Sequence, residues 1–387
     1  MKNLELYIHI PFCEKKCNYC DFVSFNENRE NIEKYIHKLL SEIKSKSHLG
    51  NNYIISSIYI GGGTPSFIDS KFIVKILEQI FESFTVSDDC EISIEGNPNS
   101  LTNDKLSDYK NASINRLSIG VQSADDNDLE TLGRIHNFSD FLNAYNNALH
   151  LGFNNINVDV INGIPNQSPE SYKKSLKKIL MLNPKHISIY NLIIEPNTKF
   201  YEMKSNNELV LPLENDILAM DAITKKLTEY YNLKRYEISN YSKPGFECKH
   251  NLGYWSNVPY LGFGLNSSSY INNTRFKNKT NFIEYLGLNY DEDYQVSNDK
   301  SSFYDEIISL SKLDLMSEYV MLGLRKTSGI NTKNFQSEFN EEFEKVFKTP
   351  LKIYQSMELI NRSGDNYYLT DKALDVSNSI LCDFLLN

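Results

Sequence analysis

Ile54-Ile55-Ser56-Ser57-Ile58-Tyr59-Ile60 runs without a break into Gly61-Gly62-Gly63-Thr64-Pro65, and Asp69-Ser70 then opens a stretch of helical period. The β-branched run reads as a strand, the glycines and proline as a turn, and Asp69 as the side-chain cap of a helix. The same unit recurs in both directions along the chain. Strand-like runs lie at 4–10, 90–94, 116–121, 156–161 and 186–194, and helical segments at 32–46, 70–84, 102–109, 138–149, 169–182 and 214–231. Thr102-Asn103-Asp104 and Ser168-Pro169-Glu170 supply further helix starts. Strands that alternate with helices form βαβ units and a parallel sheet. Six such units either curl into a partial (βα)6 barrel or lie open as a doubly wound sheet, and periodicity does not separate the two. The polar stations favour the barrel. Cys13 follows the first strand, Gly61 to Pro65 the second, Glu95-Gly96-Asn97-Pro98 the third and Gln122-Ser123 the fourth, while Asp159 lies within the fifth. An open sheet gathers its site at one switch point, whereas a curled sheet brings the ends of all its strands to one mouth.

Beyond about residue 234 the pattern breaks into short strand-like pieces punctuated by Gly245, Gly253, Gly262 and Gly264. The polar stretch 291–302 reads as a boundary. The expected organisation is therefore a barrel with a loop segment (234–280) over 1–295, and a small C-terminal domain over 296–387. That domain is expected to hold helices at 313–324, 331–339 and 351–360, a strand at 367–369 and a last helix at 371–386, a helical, winged-helix-like arrangement. Gly262-Phe263-Gly264 lacks the third glycine and the βαβ surroundings of a dinucleotide fingerprint.

The 387 residues carry 40 basic and 50 acidic side chains, a net charge of −10, and 41% are hydrophobic. This length supports a large core with a smaller unit beside it. An acidic balance argues against a nucleic-acid partner, which calls for a basic surface. No run approaches the roughly 20 apolar residues of a membrane span, and the N-terminal stretch has no signal-peptide layout. A cytoplasmic protein is expected.

Three of the six cysteines, Cys13-x3-Cys17-x2-Cys20, fall within eight residues, while Cys90, Cys248 and Cys382 are scattered. A cytosolic chain has no redox reason for disulfides, so the tight group points to a metal or to catalysis, and the scattered three to ordinary packing. Structural zinc wants four closed ligands, typically a second pair downstream, and no second pair exists. Three thiolates in one loop can instead hold three irons of a [4Fe–4S] cluster and leave the fourth open to chelate a substrate.

The residues around these cysteines, Tyr7-x-His9-Ile10-Pro11-Phe12-Cys13 through Tyr19-Cys20, resemble the radical S-adenosylmethionine (SAM) superfamily. Within it they look like the branch of oxygen-independent coproporphyrinogen III dehydrogenase (HemN) and the heme chaperone HemW. The resemblance continues through Gly61 to Pro65, Glu95 to Pro98, Gly120-Val121-Gln122-Ser123, Leu132-Gly133-Arg134-x-His136, Asp159 to Pro165, Tyr190-Asn191-Leu192, His250-Asn251-x-x-Tyr254-Trp255 and Glu318 to Arg325. It implies that SAM binds the open iron and is cleaved by one electron to a 5′-deoxyadenosyl radical. Each matching station has a chemical reason. Gly62, Gly63 and Thr64 let backbone approach the methionine end of SAM. Glu95 and Asp159 suit its ammonium or ribose hydroxyls, Gln122 the ribose or adenine edges, and Arg134 the carboxylate. Tyr7 and Tyr19 flank the cluster, with Tyr19 against the adenine ring.

Within the branch, three departures point away from the decarboxylase and towards the chaperone. Asp21-Phe22 stand where the decarboxylase motif carries a further cysteine. The chain starts six residues before Tyr7 and so lacks the decarboxylase's Arg-containing N-terminal segment. The His250 block matches the HNxxYW block associated with heme in HemW, which implies that His250, in a loop, ligates heme beside Trp255; a bland alternative is that the block braces the barrel. The expected partners are heme and acceptor hemoproteins, with self-association and contact with the membrane surface. The competing readings are oxidative decarboxylation of coproporphyrinogen III, or radical SAM chemistry on another substrate.

Overall fold

A computed structural model describes residues 1–290, 294 and 301–386 of the chain. Strands β1 (Lys2–Ile10), β2 (Tyr53–Gly62), β3 (Val86–Gly96), β4 (Arg116–Gln122), β5 (Asn155–Asn162) and β6 (His186–Asn191) are hydrogen-bonded in that order, each parallel to the next. Sequential neighbours leave no point where the strand order reverses, so the doubly wound alternative falls and the partial barrel stands. Helices α1 (Arg29–Lys46), α2 (Ser70–Ser83), α3 (Asn103–Asn111), α5 (Phe138–His150) and α6 (Pro169–Leu180) lie between the strands. Asp69, Thr102 and Ser168 cap α2, α3 and α6 as their sequence positions suggested. Helix α4 (Asp126–Thr131) was not foreseen; six residues rich in Asp carry too little apolar period.

Strands buried on both faces usually read as unbroken apolar runs; these alternate. Leu4, Leu6, Ile8 and Ile10, with Ile58, Ile60, Ile92 and Ile94, are buried in one large core with the helices. The intervening residues are polar and meet one another inside the curl. Tyr59 donates to Glu95 at 2.8 Å, Ser118 to Asp159 at 3.0 Å, and His186 Nδ1 meets Asn157 Oδ1 at 2.6 Å. The barrel thus encloses a polar lumen rather than stacked aliphatic layers.

The sheet continues past the six barrel strands. Helices α7 (Lys199–Ser205) and α8 (Glu214–Tyr230) lead to β7 (Lys234–Arg235) and β8 (Asn240–Ser242), the latter antiparallel to β6. Then α9 (Lys249–Trp255) precedes β9 (Tyr260–Phe263), which runs parallel to β1, and β10 (Ser268–Ile271), β11 (Thr274–Asn278) and β12 (Tyr304–Ser309) complete twelve strands among the described residues. The His250 block is therefore a helix and not the loop expected. The expected boundary 291–302 lies outside the described residues except for Tyr294, Ser301 and Ser302.

One buried ion pair locks this extension to the barrel. Glu42 and Lys46 on α1, 0% and 1% exposed, are 2.7 Å apart. Glu42 also accepts from Gly264 N, Tyr285 Oη and Asn278 Nδ2, and the Lys46 ammonium stands 4.7 Å from the centre of the Tyr304 ring. Removing one partner of such a pair leaves an uncompensated buried charge. Glu42→Ala is expected to cost about 3–5 kcal/mol by urea unfolding, whereas removal of the exposed Glu33, paired with Arg29, leaves the midpoint unchanged. Equal midpoints for the two variants would refute this.

A second core gathers Met316, Val320, Phe335, Phe343, Phe347 and Tyr367 around a three-stranded antiparallel sheet of Ile330–Asn331, Asn366–Leu369 and Ile360–Ser363. The helices expected at 313–324 and 331–339 are present as Lys312–Gly323 and Thr332–Phe339. The one expected at 351–360 is Lys348–Ser356, because Ile360 enters a strand. The last helix is broken into Asp371–Leu374 and Ser377–Cys382, since the chain leaves helical geometry at Val376.

Candidate functional site

The loop after β1 carries the three cysteines, all free and half-buried. Backbone bonds fix it at several points: Cys13 N to Phe25 O at 2.9 Å, Asn18 N to Leu132 O at 3.0 Å, and Thr64 N to Phe12 O at 2.8 Å. Gly63 lies so close that a Cβ there would stand 2.8 Å from Phe12 O and 3.0 Å from Cys13 Sγ. The Cys13 thiol meets Thr64 Oγ1 at 3.3 Å, and Arg134 Nη1 points at Cys17 Sγ from 3.5 Å. Burial raises the Cys13 thiol and pushes Cys20 up to about 11.

Of the stations predicted after successive strands, Gly63, Thr64 and Arg134 touch this loop, while Glu95 and Asp159 bond to other barrel residues. Glu95 on β3 accepts from Tyr59 Oη at 2.8 Å and from Gly62 N at 3.2 Å, and burial, together with the nearby Asp159, lifts it to about 7. Asp159 on β5 accepts from Ser118 Oγ at 3.0 Å and Asn157 Nδ2 at 2.7 Å, and burial raises it too. Gly62, at φ +117°, closes over the His9 ring. Gln122 takes a positive φ of 65° at a bulge, buried beside Gly120. Arg134 donates to Asn97 Oδ1 and to Gly120 O at 2.9 Å, and its Nε is buried with no partner. Tyr19 packs on the small cluster of Leu132, Ile161, Ile164 and Phe200. Tyr7 sits deeper in the lumen, its hydroxyl 3.0 Å from His9 Nδ1.

His250 is at neither mouth nor surface. Helix α9 lies across the amino-terminal end of the barrel, with His250 only 2% exposed. Its Nδ1 is 2.8 Å from Ser57 Oγ and 3.7 Å from Glu5 Oε2, and its ring stacks on Tyr59 at 5.1 Å. Burial lowers its pKa to about 3, so the imidazole is neutral, while Nε2 has no partner among the described residues. Gly253 lets α9 seat, for a Cβ there would fall 1.8 Å from Glu5 Oε1. His250 thus lies in a helix rather than the loop expected, and in this arrangement its imidazole is enclosed by the barrel.

Residues 7–179 match the model of the radical SAM superfamily, and residues 310–376 that of the HemN C-terminal domain. The chain is 34% identical to the heme chaperone HemW of Bacillus subtilis over 98% of both chains. It is 31% identical to that of Lactococcus lactis over 98% of this chain and 97% of that one. The chain belongs to the HemW family. Its fold matches the solved structure of HemN from Escherichia coli, with a TM-score of 0.84 at 23% identity, covering 99% of this chain and 90% of that one.

As a radical SAM protein, this HemW-family member takes a [4Fe–4S] cluster and SAM as cofactors, and the residues present fit them. Among the described residues no three His, Cys, Asp or Glu side chains are placed to hold a single metal ion. The unpartnered Arg134 N–H awaits an anionic acceptor. Sequence reasoning missed Asn97, which bridges Thr64 Oγ1 at 3.2 Å and Arg134; its place in Glu95-Gly96-Asn97-Pro98 was the available signal. It also missed Asn18, which ties the cysteine loop to Thr131 O at 2.9 Å, and Tyr59, for which no local signal existed.

Proposed function

We propose that this chain is a heme chaperone that binds heme, carries a [4Fe–4S] cluster and SAM at the carboxyl-terminal mouth of its barrel, and delivers heme to acceptor hemoproteins. The observation that carries the reading is its likeness, over 98% of both chains, to a HemW heme chaperone. Cys13, Cys17 and Cys20 would hold three irons, and the bound cluster supplies an electron to SAM. Gly62, Gly63 and Thr64 shape the floor of the SAM site, Glu95 and Asp159 attract its net positive charge, and Arg134, held by Asn97, takes its carboxylate. Gln122, Tyr7 and Tyr19 complete the surroundings. The chain divides into a barrel with its extension and a C-terminal unit, and the boundary expected at 295/296 falls later, because β12 (Tyr304–Ser309) pairs with β11 and Phe303 and Tyr304 pack in the first core. No described helix is long and apolar enough to cross a membrane; a cytoplasmic location, self-association and contact with the membrane surface complete the proposal.

Anaerobically reconstituted protein, given heme and coproporphyrinogen III in separate incubations, should bind one heme per chain and form no protoporphyrinogen IX. Product formation would promote the decarboxylase; absence of saturable heme binding would end the chaperone reading.

His250 enters as the heme ligand in a state with α9 withdrawn. A neutral imidazole with a free Nε2 is the form that ligates iron. The Ser57 bond and the stacking on Tyr59 favour a second reading, in which His250 plugs and braces the barrel. His250→Ala separates them. Ligation requires loss of heme binding with an intact cluster; bracing requires a lower melting temperature with heme binding retained.

A further inference from the structure

Helix α9 turns His250 towards the barrel and Trp255 towards the C-terminal unit. There Trp255, Ser256, Lys326, Asn331, Asn334 and Asn366 line a cavity of about 430 Å³, within the range of small-ligand sites. Its chemistry is one-sided. Among the described residues no Asp or Glu lines it. Lys326 is half-buried, which lowers its pKa, and its ammonium reaches the neutral Ser256 Oγ at 2.8 Å. The Arg325 guanidinium stands 5.0 Å over the Trp255 ring, and the buried Trp255 Nε1 donor has no partner among the described residues. An ammonium whose partner is a neutral hydroxyl and an unsatisfied indole N–H together call for an anionic oxygen acceptor beside a flat apolar wall, while Asn331 is already spent on capping its helix and on Asn366.

We infer that this cavity is a carboxylate-binding site that receives a carboxylate-bearing edge of the porphyrin, with Lys326 as the charge partner and Trp255 as the wall. The inference rests on the heme-chaperone reading and on α9 seated as it stands, with Trp255 facing the C-terminal unit. A carboxylate entering here would gain a charge-assisted bond to Lys326, and it would satisfy the Trp255 donor.

The test is an absorption titration of the full-length reconstituted protein with heme and with its dimethyl ester, which has the same ring and no free carboxylate. Wild-type protein should bind heme about ten-fold or more tightly than the diester. Lys326→Met should bring heme down to the diester's affinity, Lys326→Arg should restore most of the difference, and Asn334→Asp, which places a negative charge in the cavity, should weaken heme but not the diester. Melting temperatures of the variants report folding. Equal affinities for heme and diester in the wild type would overturn the inference and leave the chaperone reading standing, as would an unchanged ratio in both Lys326→Met and Asn334→Asp. No saturable binding of either compound would remove the chaperone reading and this inference with it.

Discussion

Replacing Cys13, Cys17 and Cys20 together by alanine is expected to abolish the brown chromophore of the anaerobically reconstituted protein and its iron, from about four per chain to none. The loop itself should persist, because bonds from Cys13 N, Asn18 N and Thr64 N hold its backbone rather than the thiols. The Cys13 and Cys20 thiols are also poor ligands until metal arrives: burial raises both, keeping them protonated at neutral pH, and binding the cluster must release those protons. Reconstitution should accordingly fall off at acid pH. Cys90 and Cys248 are buried and Cys382 is exposed on the C-terminal unit, so changing these three to alanine leaves the iron content intact. Retention of about four irons by the Cys13, Cys17, Cys20 variant would refute the assignment.

The second large effect concerns SAM. Glu95→Ala combined with Asp159→Ala should weaken SAM binding by about 100-fold, on the order of 3 kcal/mol, since each carboxylate contributes a charge-assisted contact in a desolvated site. Isothermal titration of the reconstituted protein reads this directly. The pH dependence follows from the same burial. Glu95 titrates near 7 in the folded chain, above its usual 4.5, so below that pH its carboxyl is neutral and exerts no pull on a net cation. SAM affinity should rise from pH 6 to pH 8 and then level off, and Glu95→Gln should flatten the profile. A wild-type affinity that is independent of pH, or an unaltered affinity in the double variant, would contradict the placement.

The barrel was legible because its signals are local. β-branched runs, glycine stations and the caps at Asp69, Thr102 and Ser168 lie within a few residues of the elements they define, and the three cysteines share one loop. Helix α9 was not legible. It is seven residues long and contains Gly253, which reads as a loop breaker until Glu5, nearly 250 residues away, is seen to occupy the space a side chain would take. The surroundings of His250 failed for the same reason, since Ser57 and Tyr59 belong to a strand formed long before it. Asn97 lay in plain view within a quoted motif, but its part depends on Arg134 being brought back to it by the chain between β4 and α5.

The pairing of β1 with β9 has a consequence for how the chain is made. Ile8 aligns with Phe263, so roughly 250 residues must be synthesised before that edge of β1 is covered. At about 5–20 residues per second the interval is on the order of 10 to 50 s. During it the first strand presents open backbone donors and acceptors, with the cysteine loop attached to its end. An unprotected edge of this kind invites pairing with another chain. The nascent molecule is therefore most exposed to misassembly on the ribosome, at the very strand that leads into its cofactor loop, and truncations that end before residue 260 should aggregate although all six barrel strands are present.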